Sequence, residues 1–357
     1  MIAIEVSSAD DAWRRLACML QAEVEIQPGR DQPTRELLHV MVSLANPRQR
    51  IVFARPFNPA FAIAEVIGIL SGANASRFVT AWNPRMKRFV DEDVNVLHGA
   101  YGYRLGSRPQ LSMAAERALR IETGKIMPQL DQLRAAYEAP RHSPDSRQVV
   151  LQIWNATLDL PDPSPRSADV PCNLMSHLMI RDNRLEWLQI LRSNDLIWGM
   201  PYNFVQFTCL QEILAGWLGV DVGSYVHVSD SLHVYQRHWS ELDVLSLDGD
   251  VETPVNQTDL RIKGYGEWEE IWRGIVAAGL RLSTGVNPRE ASAVLGEVSD
   301  HPLGYVQWIA VLAAESLRLQ GYDREAITMI DNAGEYWATS WRNWRNRKRP
   351  ENSKLLY

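Results

Sequence analysis

Between residues 149 and 217 the sequence sets three short apolar runs ahead of one long one, and this order narrows the possible folds more than any other feature. The runs at 149–154, 173–180 and 185–191 have the length of strands, and their close succession predicts neighbouring strands of one sheet. A polar, proline-rich stretch, 159–168, separates the first two. Residues 204–217 then read as a long buried helix, followed by another strand at 225–228.

Upstream, Trp13, Leu16, Met19 and Leu20 fall at helical spacing, which predicts an amphipathic helix over 9–23. A Gly/Pro-marked loop at 27–33 carries Arg30, with Arg35 just beyond, and 37–44 reads as a strand closed by the turn Asn46-Pro47. Residues 61–70 are apolar almost all round and predict a buried helix ending at Ser71-Gly72. Glu65 lies in its middle, where a carboxylate is costly unless something uses it. The glycine-punctuated, aromatic stretch 98–106 suits a tight turn beside a pocket. After about residue 266 the runs 268–282, 303–319 and 323–337 carry helical periodicity, and a basic segment, 342–354, follows. The expected organisation is a catalytic domain over 1–266 and a helical extension over 267–357.

A formal net charge of −6 argues against broad binding to nucleic acid, while a local basic patch can still hold one phosphate. A mononucleotide fits better than a polymer. The three cysteines, Cys18, Cys172 and Cys209, have no CxxC spacing, so neither a disulfide framework nor a structural zinc site is indicated. Cys18 and Cys209 read as core thiols. Acidic residues come soon after Met1, and no apolar run approaches the ~18 residues of a membrane span, so a soluble, cytoplasmic protein is expected.

A ladder of polar residues follows Cys172: Arg192, Ser193, Asp195, Asn203, His233 and Tyr235. It offers a nucleophile, an anion site, an amide reader and a hydroxyl reader in order. A thiol needs nearby positive charge to ionise at neutral pH, and Arg192 is the candidate for that role. Arginine also suits a phosphate, because its planar fork donates two parallel hydrogen bonds. The Asn203 amide can donate to a uracil O4 and accept from N3–H, whereas a carboxylate would suit cytosine. His233 and Tyr235 alternate along a strand and share one face.

The segments Asp145-Ser146-Arg147, Ile153-Trp154-Asn155, Pro171-Cys172, Leu191-Arg192-Ser193-Asn194-Asp195, Gly199-Met200-Pro201-Tyr202-Asn203 and His233-Val234-Tyr235 resemble the successive motifs of thymidylate synthases and related pyrimidine nucleotide hydroxymethylases. The likeness covers roughly residues 25–266. It implies an α+β fold, a twisted mixed β-sheet flanked by helices, working as a homodimer. It implies 5,10-methylenetetrahydrofolate as cofactor and a pyrimidine nucleoside monophosphate as substrate, with neither membrane nor nucleic acid as partner.

The resemblance also assigns roles. Cys172 adds to carbon 6 of the uracil ring, so that carbon 5 can attack a one-carbon electrophile. Arg192 and Ser193 bind the phosphate, Arg147 reaches over from the partner subunit, and Arg30 or Arg35 completes the set. His233 and Tyr235 hold the sugar 3′-hydroxyl. Glu65 organises proton transfer to the ring oxygen, Tyr101 sits near carbon 5, Asp195 orients the pterin and Trp82 lines the cofactor pocket or the core.

The sequence departs from the family in four places. Gln148 stands where a second arginine is common, Asn173 replaces the usual His after the nucleophile, and Ser231 occupies the place of an Asp. The usual short C-terminal lid gives way to the helical extension. Exclusion of water decides between a methyl and a hydroxymethyl product, so a rebuilt C-terminus favours hydroxymethyl transfer. The alternative is a degenerate homologue that binds a nucleotide without turnover.

Overall fold

The computed structural model describes residues 1–24, 26–28, 32–91, 93–122, 130–160, 169–243 and 253–347. Strand β1 (Ile2–Val6) leads into α1 (Ala9–Ala22), whose start is fixed by Ser8: its hydroxyl accepts the Asp11 N–H at 3.2 Å. Strands β2 (Ile26–Pro28) and β3 (Pro33–Leu44) pair antiparallel. Helices α2 (Pro59–Leu70), α3 (Ser76–Trp82), α4 (Tyr101–Arg104), α5 (Met113–Leu119) and α6 (Gln132–His142) come next. The chain then lays down β4 (Val149–Gln152), α7 (Ala156–Asp159), β5 (Asn173–Arg181), β6 (Arg184–Leu191) and β7 (Asn194–Asp195). Helix α8 (Met200–Leu218), strand β8 (Asp221–Tyr235) and α9 (Trp239–Asp243) follow. The last helices are α10 (Tyr265–Ser283), α11 (Pro288–Glu297), α12 (Leu303–Leu319), α13 (Asp323–Ile330) and α14 (Gly334–Asn346).

The strands form one mixed sheet in the order β1-β3-β8-β6-β5-β4, with β2 joined to β3 and β7 to β8. The fold is α+β, as the resemblance implied. Strands β4, β5 and β6 are antiparallel neighbours, whereas β6 and β8 run parallel because α8 carries the chain back along the sheet. Strand β8 is 15 residues long, far beyond the expected 225–228, because its second half alternates polar side chains that an apolar-run reading passes over. Its buried positions are Gly223, Tyr225, His227 and Ser229, then Leu232 and Val234. The parity slips at Asp230-Ser231, opposite His39 with its φ of +54°.

One face of the sheet carries α8, and α2 packs on α8. The outer side of α2 is covered by α12 and α14, which is why this helix is apolar all round rather than amphipathic. Gly102 lets α4 lie against the end of α2: a Cβ there would stand 2.4 Å from the Ile69 carbonyl oxygen. Within the stretch 98–106, expected as a tight turn, residues 101–104 form a one-turn helix closed by Gly106. The other sheet face is open and apolar, with Met41, Met175, Leu188, Ile190, Val226 and Val228 half-buried.

Three further expectations are corrected. Cys18 is exposed on α1, not a core thiol. The periodic run 323–337 is two helices, because Gly334 (φ +68°) re-aims the chain. Helices α3, α5, α6 and α11 lie outside the runs that the sequence marks as helical; each is short, at 7 to 11 residues.

Candidate active site

Cys172 stands just ahead of β5 and is half-buried. Its carbonyl accepts the Arg192 N–H at 3.0 Å, since β5 and β6 are neighbours and their ends meet. The Arg192 guanidinium reaches back to the carbonyls of Pro171 (Nε, 3.0 Å) and Val170 (Nη2, 3.1 Å). Its other N–H donors are uncommitted among the described residues. They lie on an open cleft of about 580 Å³ lined by Val150, Gln152, Trp154, Leu174, Met175 and Arg192. Arg192 thus bonds the backbone of the residue that carries the thiol and borders the cleft with guanidinium donors left to hold an anion.

Tyr101, at the start of α4, faces the same thiol. Burial raises its phenol above the ordinary range, the Cys172 thiolate adds to this, and a hydrogen bond with the Asn173 side chain opposes it. Glu65, on α2, also acts on Tyr101. Burial pushes the Glu65 carboxyl up to about 8 against a hydrogen bond from Gln206, and its Oε2 has no partner among the described residues. An acid with that value exchanges protons near neutrality.

Asn203 sits in the first turn of α8, 6% exposed. Its Oδ1 accepts from Asn173 Nδ2 at 3.3 Å, so the amide reader is tied to the residue that follows the nucleophile. Asp195 pairs in register with His233, and its Oδ1 accepts the N–H groups of Ile197 (2.7 Å) and Trp198 (3.0 Å). That capped turn launches α8. Ser193 lies between Arg192 and this turn, half-buried. The His233 and Tyr235 rings meet edge to face at 5.2 Å on one side of β8, as the alternation predicted.

The remaining candidates stand apart. Trp82 is 3% exposed, its indole N–H has no partner among the described residues, and its carbonyl accepts from Asn58. The Arg35 guanidinium lies over the Trp239 ring at 4.6 Å and donates to the Gln21 carbonyl, so in this structure it is engaged within the protein. Arg147 is exposed, and its carbonyl accepts from His177 Nε2 at 2.9 Å. Arg30 lies outside the described residues.

The thymidylate synthase family model matches residues 34–262. The chain belongs to the thymidylate synthase family. It is 36% identical over 216 residues to a deoxyuridylate hydroxymethyltransferase of Bacillus phage SP01, a match covering 60% of this chain and 53% of the relative. A second protein of that name, from Pseudomonas phage M6, is 34% identical over 195 residues, covering 54% of this chain and 49% of its own length. The chain thus spans about half the length of these curated relatives. The thymidylate synthase match stops just short of α10, so α10–α14 lie beyond it.

Two groups in this site are given no role by the motifs of the sequence. Asp169 Oδ2 accepts the Gly99 N–H at 2.7 Å, clamping the approach to Tyr101 onto the approach to Cys172. A Cβ at Gly99 would lie 2.9 Å from the Asp169 carbonyl oxygen. Beneath Asn203 runs a row of buried polar side chains: Ser176, Gln189, Asn194, His227 and Ser229. Their signal was available, as polar residues at the core-facing parity of apolar strands, where each needs a partner.

Proposed function

We propose that this protein transfers a one-carbon unit to carbon 5 of a deoxyuridylate-type nucleotide and releases a hydroxymethyl product. The observation that carries this reading is the 3.3 Å bond from Asn173 Nδ2 to Asn203 Oδ1, which joins a uracil-reading amide to the residue next to the nucleophile. The names of the two phage relatives support the hydroxymethyl product.

Cys172 Sγ adds to carbon 6, and the electron pair pushed into the ring makes carbon 5 nucleophilic. Arg192, one backbone hydrogen bond from Cys172, favours the thiolate and holds the phosphate with Ser193. Asn203 donates to O4 and accepts from N3–H. Glu65 supplies a proton toward the ring oxygen as charge builds there, and Tyr101 serves removal of the carbon 5 proton. Once carbon 5 carries the unit as an exocyclic methylene, its proton and the folate amine having left, water would add to that carbon as Sγ leaves carbon 6, restoring the ring double bond. His233 and Tyr235 hold the sugar. Asp195 Oδ2, uncommitted among the described residues, fits a donor edge of a pterin, whereas the Trp82 indole N–H is buried and stays with the core. 5,10-Methylenetetrahydrofolate supplies the one-carbon electrophile when bound.

The deciding experiment measures tritium release from carbon-5-labelled dUMP, UMP, dCMP and CMP with methylenetetrahydrofolate, with dihydrofolate absorbance and product mass read in parallel. Release from dUMP without dihydrofolate is expected. Release with dihydrofolate means a methyl product, and no release with bound nucleotide means a binding protein without turnover. The open apolar sheet face is the proposed interface with a second copy, from which Arg147 crosses to the partner's phosphate. A monomer in sedimentation at assay concentration would remove that role.

A further inference from the structure

The buried amides beneath the site form one row, and its hydrogen-bond sense is decided at one end. Gln189 Oε1 lies 3.2 Å from Trp187 Nε1 and 2.6 Å from Ser176 Oγ. A hydroxyl can donate or accept, but an indole N–H only donates, so the atom facing Trp187 must accept. Gln189 therefore turns its NH₂ to Asn173 Oδ1, 2.9 Å away. Every later member is then forced. Asn173 Nδ2 donates to Asn203 Oδ1 (3.3 Å), and Asn203 Nδ2 donates to Asn194 Oδ1 (3.2 Å). Asn194 Nδ2 donates to Ser229 Oγ (3.1 Å) and to His227 Nε2 (2.9 Å). Burial pushes the His227 imidazole down to about 3, so the ring is neutral. Its one proton sits on Nδ1, facing the Tyr225 hydroxyl at 3.0 Å.

Running the row backwards would turn the Gln189 NH₂ against the Trp187 N–H, donor against donor between two buried side chains. Amide and imidazole orientations are assigned from their partners, and here one partner admits a single sense. Asn203 uses one N–H and one oxygen lone pair inside the row. Its other N–H and lone pair face a ligand, in the order that uracil O4 and N3–H require. A reversed amide would present oxygen to an amino group and NH₂ to a bare ring nitrogen, which is the cytosine pattern.

We infer that Trp187, acting through Gln189 and Asn173, is a positioning residue that sets the base specificity of this site. The inference rests on the nucleotide reading of Asn203 given above, and its test separates the two. ¹⁵N-histidine NMR of the full chain, with His227 assigned by its loss in His227→Asn, should show the Nδ1–H tautomer. Trp187→Phe, which keeps a ring and removes the N–H, should introduce the Nε2–H form and lower the ratio of dUMP to dCMP affinity about tenfold. Ser176→Ala removes a hydrogen bond from the same Gln189 oxygen but keeps the indole, so its His227 tautomer should match the parent's. An Nε2–H tautomer in the parent overturns the row, whether or not Trp187→Phe folds. An unchanged tautomer and affinity ratio in a folded Trp187→Phe overturns the role of Trp187. Should the parent bind neither nucleotide, the reading of the site falls, while the tautomer still decides the row.

Discussion

Glu65 and Glu315 hold their carboxyl groups under opposite conditions. Glu65, on α2 and acting on Tyr101, has an Oε2 without a partner among the described residues, and its carboxyl is pushed up to about 8. Glu315, on α12 in the C-terminal helices, is saturated. Its Oε1 accepts from Arg318 Nη2 (2.8 Å) and Trp344 Nε1 (3.2 Å), and its Oε2 from Arg318 Nε (2.8 Å) and Trp341 Nε1 (3.0 Å). A carboxylate with every lone pair answered holds α14 onto α12 and has nothing left for chemistry. One left partly unanswered keeps its proton to near neutrality and can give it up. The difference separates a carboxyl able to exchange a proton near neutrality from one fixed as a structural anchor.

That contrast can be broken most directly at the thiol. Cys172→Ala should abolish turnover while leaving nucleotide affinity within about tenfold, because the thiol acts in the covalent step; steady-state assays beside binding titrations check this. In the helical region the effect should fall on stability instead. Glu315→Ala leaves Arg318 and two indole N–H groups without their acceptor and should lower unfolding free energy by roughly 3–5 kcal/mol, read from urea midpoints. Normal stability would remove the contrast.

Glu65→Gln should keep the fold, lose activity and change the pH dependence of stability. The folded-state carboxyl titrates near 8 and the unfolded one near about 4.3. Between those values the folded state keeps a proton that the unfolded state has lost. The parent's stability relative to Glu65→Gln should therefore fall as pH rises from about 4 to about 8 and level off above. A difference that is flat in pH would mean that Glu65 is ionised in the folded protein. The smallest effect is expected at Asn287, whose side chain and Glu290 form a capping box on α11. Asn287→Ala should cost about 1 kcal/mol without touching turnover.

Much of the site was legible because its residues are of types that a core rarely keeps. Glu65 inside an apolar helix and a polar ladder after Cys172 stand out against their surroundings, and Cys172 and Arg192 do meet through one backbone hydrogen bond. Arg35 shows the limit of the same reasoning. Nothing in its neighbours in sequence announces Trp239, more than two hundred positions away, over which its guanidinium lies.

Local pattern also determined the elements: apolar run length set the strands β4 to β6, and all-round apolarity set α2 and α8 as buried helices. Only the tertiary structure decided the pairing of β8 between β3 and β6, the slip at Asp230 and the Asp169 clamp on Gly99. It alone decided which way the Asn203 amide faces. A run of hydrophobic residues is a property of neighbours in the chain, whereas the sense of a hydrogen-bond row depends on donors and acceptors that meet only after β5, β6, β8 and α8 have packed.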